Sequence, residues 1–567
     1  LALTSCSKPT PVTPAPSEPV RISVVAMNDF HGALHSQTPR GQEDQRMGGL
    51  PWLVGALDAL RAEDPELVLL DGGDVFQGDW EVNATEGRGA VEAFNLLGLD
   101  AAAVGNHDFD YGPLEHGDAD DLRGALIAGA AASEFEWLTA NVYNEDGSRF
   151  APPNIAPWTV VERKGKRIGV IGLSTITTPQ TTLLRNVADL TFADPVESIQ
   201  NVLPEVRAQD VDAMILIAHL TGSCEPAGYF DLGEPCTPDG EIGRLLTELP
   251  RGTFDVMILG HAHTLLAHRV DDTFLLEQRA KGHALGRVDL VFTDDGLDLD
   301  ASKLYEPLPL VHPPADPGCE EGEYDMTPVQ MGDLLVTPNA EAVALVDRLE
   351  EEAGSMCEEL GCSDLHLGRS RSAESAAGDF MADAMFGVFP EADFAIQNSG
   401  GVRADLPPGT IRRSSLQAMM PFDNRVFLVE MSGEKVRELF RLGSSGAHGI
   451  LQVSGATYHF DPNATGGSDL DGDGATADWE TDRLCNVQIG GADLDPSATY
   501  KVITTDFLFD GGDHLGHAFD GATKLEEGPL LREVLYSYVS ERDGVCLGAD
   551  GPIFDEANPR IEQGACR

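Results

Sequence analysis

Five apolar runs in the first half of the chain each end in side chains of metal-ligand type. RISVVAMNDFH ends in Asp29 and His31, ELVLLDGGD in Asp74, and AAAVGNHDFD carries Asn106, His107, Asp108 and Asp110. AMILIAH ends in His219, and DVMILGHAH ends in His261 and His263. In α/β sheets, ligands bind beyond the carboxyl ends of the strands. Strand-like runs that each deliver Asp, Asn or His to that edge therefore imply one shared site. Asp29, His31, Asp74, Asn106, His219, His261 and His263 are more ligands than a single tetrahedral cation needs. Such a set suits two cations and an in-line displacement at phosphorus.

A chain of 567 residues is too long for one hydrophobic core, so two or more domains are expected. Its net charge of −56 disfavours nucleic-acid polymers and bare anionic membrane as partners. An anionic substrate then has to be drawn in by local arginines and metal ions. No apolar run reaches the length of a membrane-spanning helix. Leu3-Thr4-Ser5-Cys6 resembles a bacterial lipobox, which would make Cys6 a lipidated residue and the only membrane attachment. Pro9, Pro11, Pro14, Pro16 and Pro19 follow as an extended tether. The expectation is an exported lipoprotein of the bacterial cell envelope, periplasmic or on the outer surface, with its oligomeric state open. The cysteines agree with export, because removing Cys6 leaves an even number. Proximity in sequence pairs Cys224 with Cys236, Cys357 with Cys362, and Cys546 with Cys566; elimination leaves Cys319 with Cys485.

From 21 to 305, strand-like runs alternate with amphipathic stretches such as Leu50–Arg61 and roughly Pro195–Gln209, which argues for a layered α/β domain. Lys164-Gly165-Lys166 reads as a hairpin turn. Residues 306–338 are Pro-rich and read as an irregular linker, followed by a helix over Asn339–Ala353. The expected organisation is a tether over 1–20, a first domain over 21–305, a linker and connecting helix over 306–360, and a second α/β domain over 361–567.

Within the first domain, Asp-x-His at 29–31 places two ligands on one strand end, with Phe30 pointing the other way by strand alternation. Gly72-Gly73 lets the backbone turn sharply and present Asp74 to two cations. Any one of these histidines is more simply a hydrogen-bonded polar residue. All of them at five strand ends would require five coincidences.

NDFHG, GDVFQG, GNHDFD, AHL and GHAH, in this order, resemble the calcineurin-like metallophosphoesterases. Within these the chain is similar to the 5′-nucleotidase family, which includes bacterial UDP-sugar hydrolases and the animal ecto-5′-nucleotidase. The resemblance implies a four-layer α/β/β/α metallophosphoesterase domain, joined by a linker helix to a C-terminal α/β nucleotide-binding domain. It implies one metal on Asp29, His31, Asp74 and His263, and a second on Asp74, Asn106, His219 and His261. Zn, Mn, Co, Fe and Mg all remain open. His263 stands where several bacterial relatives have Gln, a modest departure expected to keep binding and able to shift metal preference. The catalytic pair maps to His107 and Asp110, with Asp108 outside the site. The cations would activate water and clamp the phosphoryl oxygens. His107, kept protonated by Asp110, would stabilise the phosphoryl charge and protonate the leaving oxygen.

In the second half, GRSRSAESAAGDFMADAM, NSGGVRADLPPG, MPFDNRVFLVEMSG and TTDFLFDGGD resemble the family's substrate-binding segments. By that resemblance Phe422 and Phe507 sandwich the base, Asn424 touches its edge, and Asp513 accepts from the ribose hydroxyls. Arg371 and Arg403 hold ribose or phosphate, and Asn398 contacts phosphate. Leu367 stands where some members carry a second arginine, which tilts the expectation toward nucleoside monophosphates. The reading is thus a 5′-nucleotidase working by domain closure. The alternatives are a UDP-sugar hydrolase, a 2′,3′-cyclic-nucleotide phosphodiesterase, or a sulfur-ester hydrolase, against which PFDN and FLFDGGD argue. A nucleoside- or metal-binding lipoprotein without turnover is a further alternative. Separately, Asp469, Asp471, Asp473, Gly474 and Glu480 fit the template D-x-D-x-D-G-x₅-E of a calcium loop, set between strands over 469–480.

Overall fold

The computed structural model describes residues 18–39, 44–114, 121–222, 237–316, 319, 322–354, 356–472, 474–477, 479–542, 544–549 and 551–566, with the backbone alone at 224–225 and 237–238. The lipobox, most of the tether, the Cys224/Cys236 pairing and Asp473 lie outside the described residues.

Two sheets form the first domain. One has the strand order Gly296–Leu304, Ala284–Thr293, Val20–Met27, Val68–Asp71, Ala101–Ala103, Glu136–Leu138, Ile155–Ala156. The other runs Leu265–Val270, Thr273–Gln278, Val256–Gly260, Ala213–His219, Lys166–Ser174, Trp158–Arg163. They pack face to face, with Val24, Val68 and Leu70 of the first against Val170, Ile215 and Ile258 of the second. Helices cover both outer faces. Leu53, Leu57 and Phe94 bury the outside of one sheet, and Ile199, Val202, Ile242 and Leu245 the outside of the other. This is the expected four-layer α/β/β/α arrangement. Strands covered on both faces need apolar side chains at every position, which is why MILIA and VMILG run without alternation.

The pairing also aims the strand ends. Val20–Met27 runs parallel to Val68–Asp71, which runs parallel to Ala101–Ala103. In the second sheet Lys166–Ser174, Ala213–His219 and Val256–Gly260 are mutually parallel. The carboxyl ends of all five site-bearing strands thus emerge at one edge of the sandwich. The hairpin at 164–165 is present, with φ of 49° at Lys164 and 74° at Gly165, the doubly positive geometry that matches strand twist.

Residues 306–338 differ from the irregular linker expected. Leu308–Pro309 pairs with Ala284–Thr293, Val311–His312 pairs with Arg46–Met47, and Val329–Met331 forms a hairpin with Leu334–Val336. Prolines stop each pairing after two or three residues, so no long run signals it. Leu310, Met331 and Val336 still join the core of the first domain, as do Val346 and Leu349 of the helix Ala340–Ala353. That helix is capped by Asn339, whose side chain accepts from the backbone of Glu341 and Ala342.

The second domain centres on a five-stranded sheet ordered Leu451–Ser454, Phe394–Asn398, Thr499–Thr505, Arg425–Ser432, Thr523–Leu530. Phe380, Met381 and Leu535, on the helices Ala376–Phe386 and Leu531–Ser540, cover one face. Val436, Leu439 and Phe440, on Gly433–Gly443, cover the other. Among the described residues the disulfides are Cys319–Cys357, Cys362–Cys546 and Cys485–Cys566. These replace the pairings Cys357/Cys362, Cys546/Cys566 and Cys319/Cys485. Strand geometry decides them. The backbone N–H of Leu547 donates to the carbonyl of Cys362, which seats Cys546 beside it. Leu484–Ile489, carrying Cys485, and Ile561–Gln563, leading to Cys566, both pair with Ala456–Phe460.

Candidate active site

Four of the five strands stop short of the side chains they deliver; only His219 lies on its own strand. The others sit in sharp turns. Asp29, His31, Asp74, His261 and His263 all have positive φ, between 48° and 83°. Non-glycine residues avoid this region, and clusters of them mark functional sites. Strand alternation is therefore not what turns Phe30 away; the left-handed turns are, with Phe30 buried against Phe94. Backbone bonds lock the loops together. Asp29 N–H donates to Gly73 O at 2.8 Å, and His31 N–H to Asp74 O at 3.0 Å. Gly105 must be glycine, since a Cβ there would lie 2.1 Å from Asp74 Oδ1.

The candidate ligands form two groups. Asp29, His31 and His263 offer donor atoms within 4.8 Å of one another, and so do Asp74, His219 and His261. His31 Nε2 is 3.1 Å from His263 Nε2. In the second group His219 Nε2 is 3.1 Å from Asn106 Oδ1, and His261 Nδ1 is 3.0 Å from the same oxygen. Asp74 Oδ2 stands between the groups, 3.0 Å from His219 Nε2 and 3.7 Å from His31 Nε2. His219 Nδ1 donates to Gly72 O at 3.0 Å, which turns Nε2 inward toward Asp74 and Asn106.

Electrostatics favour a cation here. Burial works against charge on His219, yet Asp74 and Asp29 outweigh it and lift the group to about 10. Burial together with His219 pushes His261 down to about 3. Burial also holds His31 well below the ordinary histidine value despite Asp74. Imidazole nitrogens 3.1–3.3 Å apart beside buried carboxylates make a compact donor set that a cation would hold together. The donor set of imidazole, carboxylate and amide oxygen fits divalent first-row metals.

His107 and Asp110 border this cluster. His107 Nδ1 lies 2.6 Å from Asp110 Oδ2, and the hydroxyl of Thr182 donates to Asp110 Oδ1 at 2.6 Å. Burial disfavours charge on His107, but Asp110 and Asp74 prevail and raise its pKa. Asp108 points elsewhere: it accepts from the N–H groups of Val75, Phe76 and Gly105 and fastens the Asp74 loop.

A cavity of about 840 Å³ joins this cluster to the second domain. Asp74, Asn106, His107, Asp110, His261 and His263 line one part; Arg371, Asn398, Arg403, Phe422, Asn424, Phe507 and Asp513 line the rest. Asp29, His31 and His219 lie beneath its floor, fully buried. The Phe422 ring centre is 5.8 Å from that of His107, and the Arg403 guanidinium stands 5.6 Å from the Phe422 centroid. Asn398 Nδ2 donates to Asp513 Oδ2 at 2.7 Å, and burial raises Asp513 to about 6. Sequence reasoning missed Arg279, Lys281, His283, Thr182 and His448, which also line the cavity. They sit in turns and loops outside the quoted motifs, and no periodicity marks them.

Asp469, Asp471 and Glu480 converge in the 469–480 insertion. Glu480 accepts from the backbone N–H groups of Leu470, Asp471 and Ala477. The flanking Ala456–Phe460 and Leu484–Ile489 are paired strands, so this is a loop between strands. Trp479 stacks on His514, next to Asp513, with ring centres 4.6 Å apart.

A family model described as calcineurin-like phosphoesterase matches residues 22–265, and one described as 5′-nucleotidase, C-terminal domain, matches residues 353–521. The trifunctional nucleotide phosphoesterase protein YfkN of Bacillus subtilis is 26% identical over 564 residues, covering 92% of this chain and 34% of that protein. This chain thus spans about a third of that relative's length. The 5′-nucleotidase of Vibrio cholerae is 24% identical over 573 residues, covering 94% of this chain and 92% of that protein. In fold, the chain is similar to the crystal structure of a 5′-nucleotidase precursor from Thermus thermophilus, with a TM-score of 0.73 at 23% identity, covering 96% of this chain and 99% of that one. With these two family models matched in succession, the chain belongs to the calcineurin-like phosphoesterases that carry a 5′-nucleotidase C-terminal domain.

Proposed function

We propose that this chain is an exported two-metal phosphohydrolase that removes the 5′-phosphate of nucleotides, nucleoside monophosphates foremost, to give nucleoside and phosphate. The observation that carries the reading is the single cavity that joins the Asp74, His107 and His263 cluster to Arg371, Phe422, Phe507 and Asp513. One nucleotide reaches both ends. Asp29, His31, Asp74 and His263 would hold one divalent ion, and Asp74, Asn106, His219 and His261 the other. When bound, such a pair supplies charge stabilisation and lowers the pKa of water.

The protein groups do the rest. His107, held protonated by Asp110, faces the transferring phosphoryl group and gives a proton to the departing 5′ oxygen. Arg403, enclosed between Phe422 and the metal cluster, offsets phosphoryl charge. Phe422 and Phe507 hold the base by stacking, with Asn424 at its edge. Asp513, positioned by Asn398, accepts from the ribose hydroxyls. Because both domains line the cavity, product release proceeds by their separation.

Export is supported by the disulfides, which persist in oxidising compartments. We place the lipid anchor at Cys6 and a structural calcium ion at Asp469, Asp471, Asp473 and Glu480. Phosphate release from adenosine monophosphate, measured with and without chelator, tests the central reading. Release that stops on chelation and returns with a divalent metal supports it. A metal-loaded protein that releases none overturns it.

A further inference from the structure

The cavity carries more positive charge than one transferred phosphoryl group needs. Arg279, Lys281, Arg369, Arg371 and Arg403 all line it, in a chain with 94 acidic and only 38 basic side chains. Arg403 faces Asp74 and Asp110 and serves the metal end. Arg371 acts on Asp513 and His448, nearer the ribose end.

Lys281 is different. It comes from the first domain, in the turn between Thr273–Gln278 and Ala284–Thr293. Its backbone is left-handed, with φ of 60°, and its N–H donates to Asp29 O at 2.7 Å. The turn is thereby tied to the loop that carries a candidate metal ligand. Among the described residues the Lys281 ammonium makes no hydrogen bond and no ion pair. Asp79 acts on it only through space, while Arg403 and Arg369 repel it. A cation enclosed among other cations, unpaired in a strongly acidic protein, is placed for an anion from outside. Leu367, four residues before Arg371, contributes nothing, since it is fully buried and its backbone pairs with Leu406 in both directions.

We infer that Lys281 is a specificity-determining residue, which holds a second phosphoryl group in pyrophosphate linkage to the one lodged at Asp74, His107 and His263. The inference rests on the nucleotidase reading and extends it to nucleoside diphosphates. The cavity, at about 840 Å³, lies toward the upper end of the roughly 300–1,000 Å³ of small-molecule sites, which leaves room for the longer chain. On such a substrate the terminal P–O bond breaks, water supplies hydroxide to phosphorus, and its proton leaves with the bridging oxygen of the monophosphate product.

The test compares kcat/KM for adenosine diphosphate and monophosphate in the unaltered protein, in Lys281→Met, and in Lys281→Asn, whose side chain tolerates the left-handed backbone. The ratio of diphosphate to monophosphate should fall about tenfold or more in both variants, through KM and not kcat, and Lys281→Arg should recover part of it. An unchanged ratio, whether both substrates suffer equally or neither does, overturns the assignment. Binding of a methylene-bridged adenosine diphosphate analogue is measured in parallel. If the unaltered protein hydrolyses neither nucleotide, the nucleotidase reading fails separately, and the analogue still decides: weakening of about tenfold in Lys281→Met supports the site, and equal affinity overturns it.

Discussion

Asp110 is held at both carboxylate oxygens: Oδ2 lies 2.6 Å from His107 Nδ1, and Oδ1 accepts the Thr182 hydroxyl at 2.6 Å. The imidazole is therefore oriented by an anion that is itself fixed. Burial opposes the proton on His107, and Asp110 and Asp74 keep it there above the ordinary histidine value. His107→Ala should lower kcat by about 10²- to 10⁴-fold while the metal content stays intact. Loss of a metal ion in that variant would make His107 a ligand instead. Asp110→Asn removes the nearest anion and so lowers the histidine pKa. The alkaline limb of the rate against pH should move toward lower pH, and an unmoved limb would separate the two residues.

The aromatic pair tests the substrate end. Phe422→Ala and Phe507→Ala should each cost about 1–3 kcal/mol in recognition of adenosine monophosphate. A small aryl phosphate lacks the nucleoside and should lose less. Equal losses on both substrates would leave the two rings a purely structural role.

A third prediction lies far from the chemistry. Asp255 precedes the strand Val256–Gly260 and accepts from Met214 N–H at 2.7 Å; burial, with Asp272 adding to it, raises the carboxyl from 3.8 to about 6. The folded chain keeps a proton that the unfolded chain releases. This contribution to stability is full below pH 3.8 and is lost as pH rises through about 6. In Asp255→Asn that loss is absent. Urea denaturation between pH 4 and pH 7 should therefore show a flatter pH dependence, by on the order of 2 kcal/mol. Parallel curves for the two proteins would contradict the burial argument.

The convergence of the candidate metal ligands was legible in the sequence because fully buried parallel strands write uninterrupted apolar runs, and their ends mark one edge. MILIA and VMILG announce themselves in this way, and His219 and His261 follow directly. The left-handed turns at Asp29, His31 and Asp74 left no such trace, since these residue types bear a positive φ only when the surrounding fold enforces it. Disulfide partners were not legible either. Cys362 is five residues from Cys357 in sequence, yet its partner is Cys546, 184 residues away along the chain. Short pairings at Leu308–Pro309 and Val311–His312 were hidden by the prolines that end them. Lys281 and His448 reach the cavity only because the chain has folded, so neither spacing nor composition pointed to them.

The account stands on Asp74, whose Oδ2 faces His219 on one side and His31 on the other. The most direct test is the divalent metal content per chain of Asp74→Ala beside that of the unaltered protein, with phosphate release from adenosine monophosphate followed on the same samples. The unaltered protein should hold two ions and turn over, whereas Asp74→Ala should lose metal from both groups and lose turnover with it. An Asp74→Ala protein that retains two ions and hydrolyses the nucleotide at the unaltered rate would contradict the two-metal site.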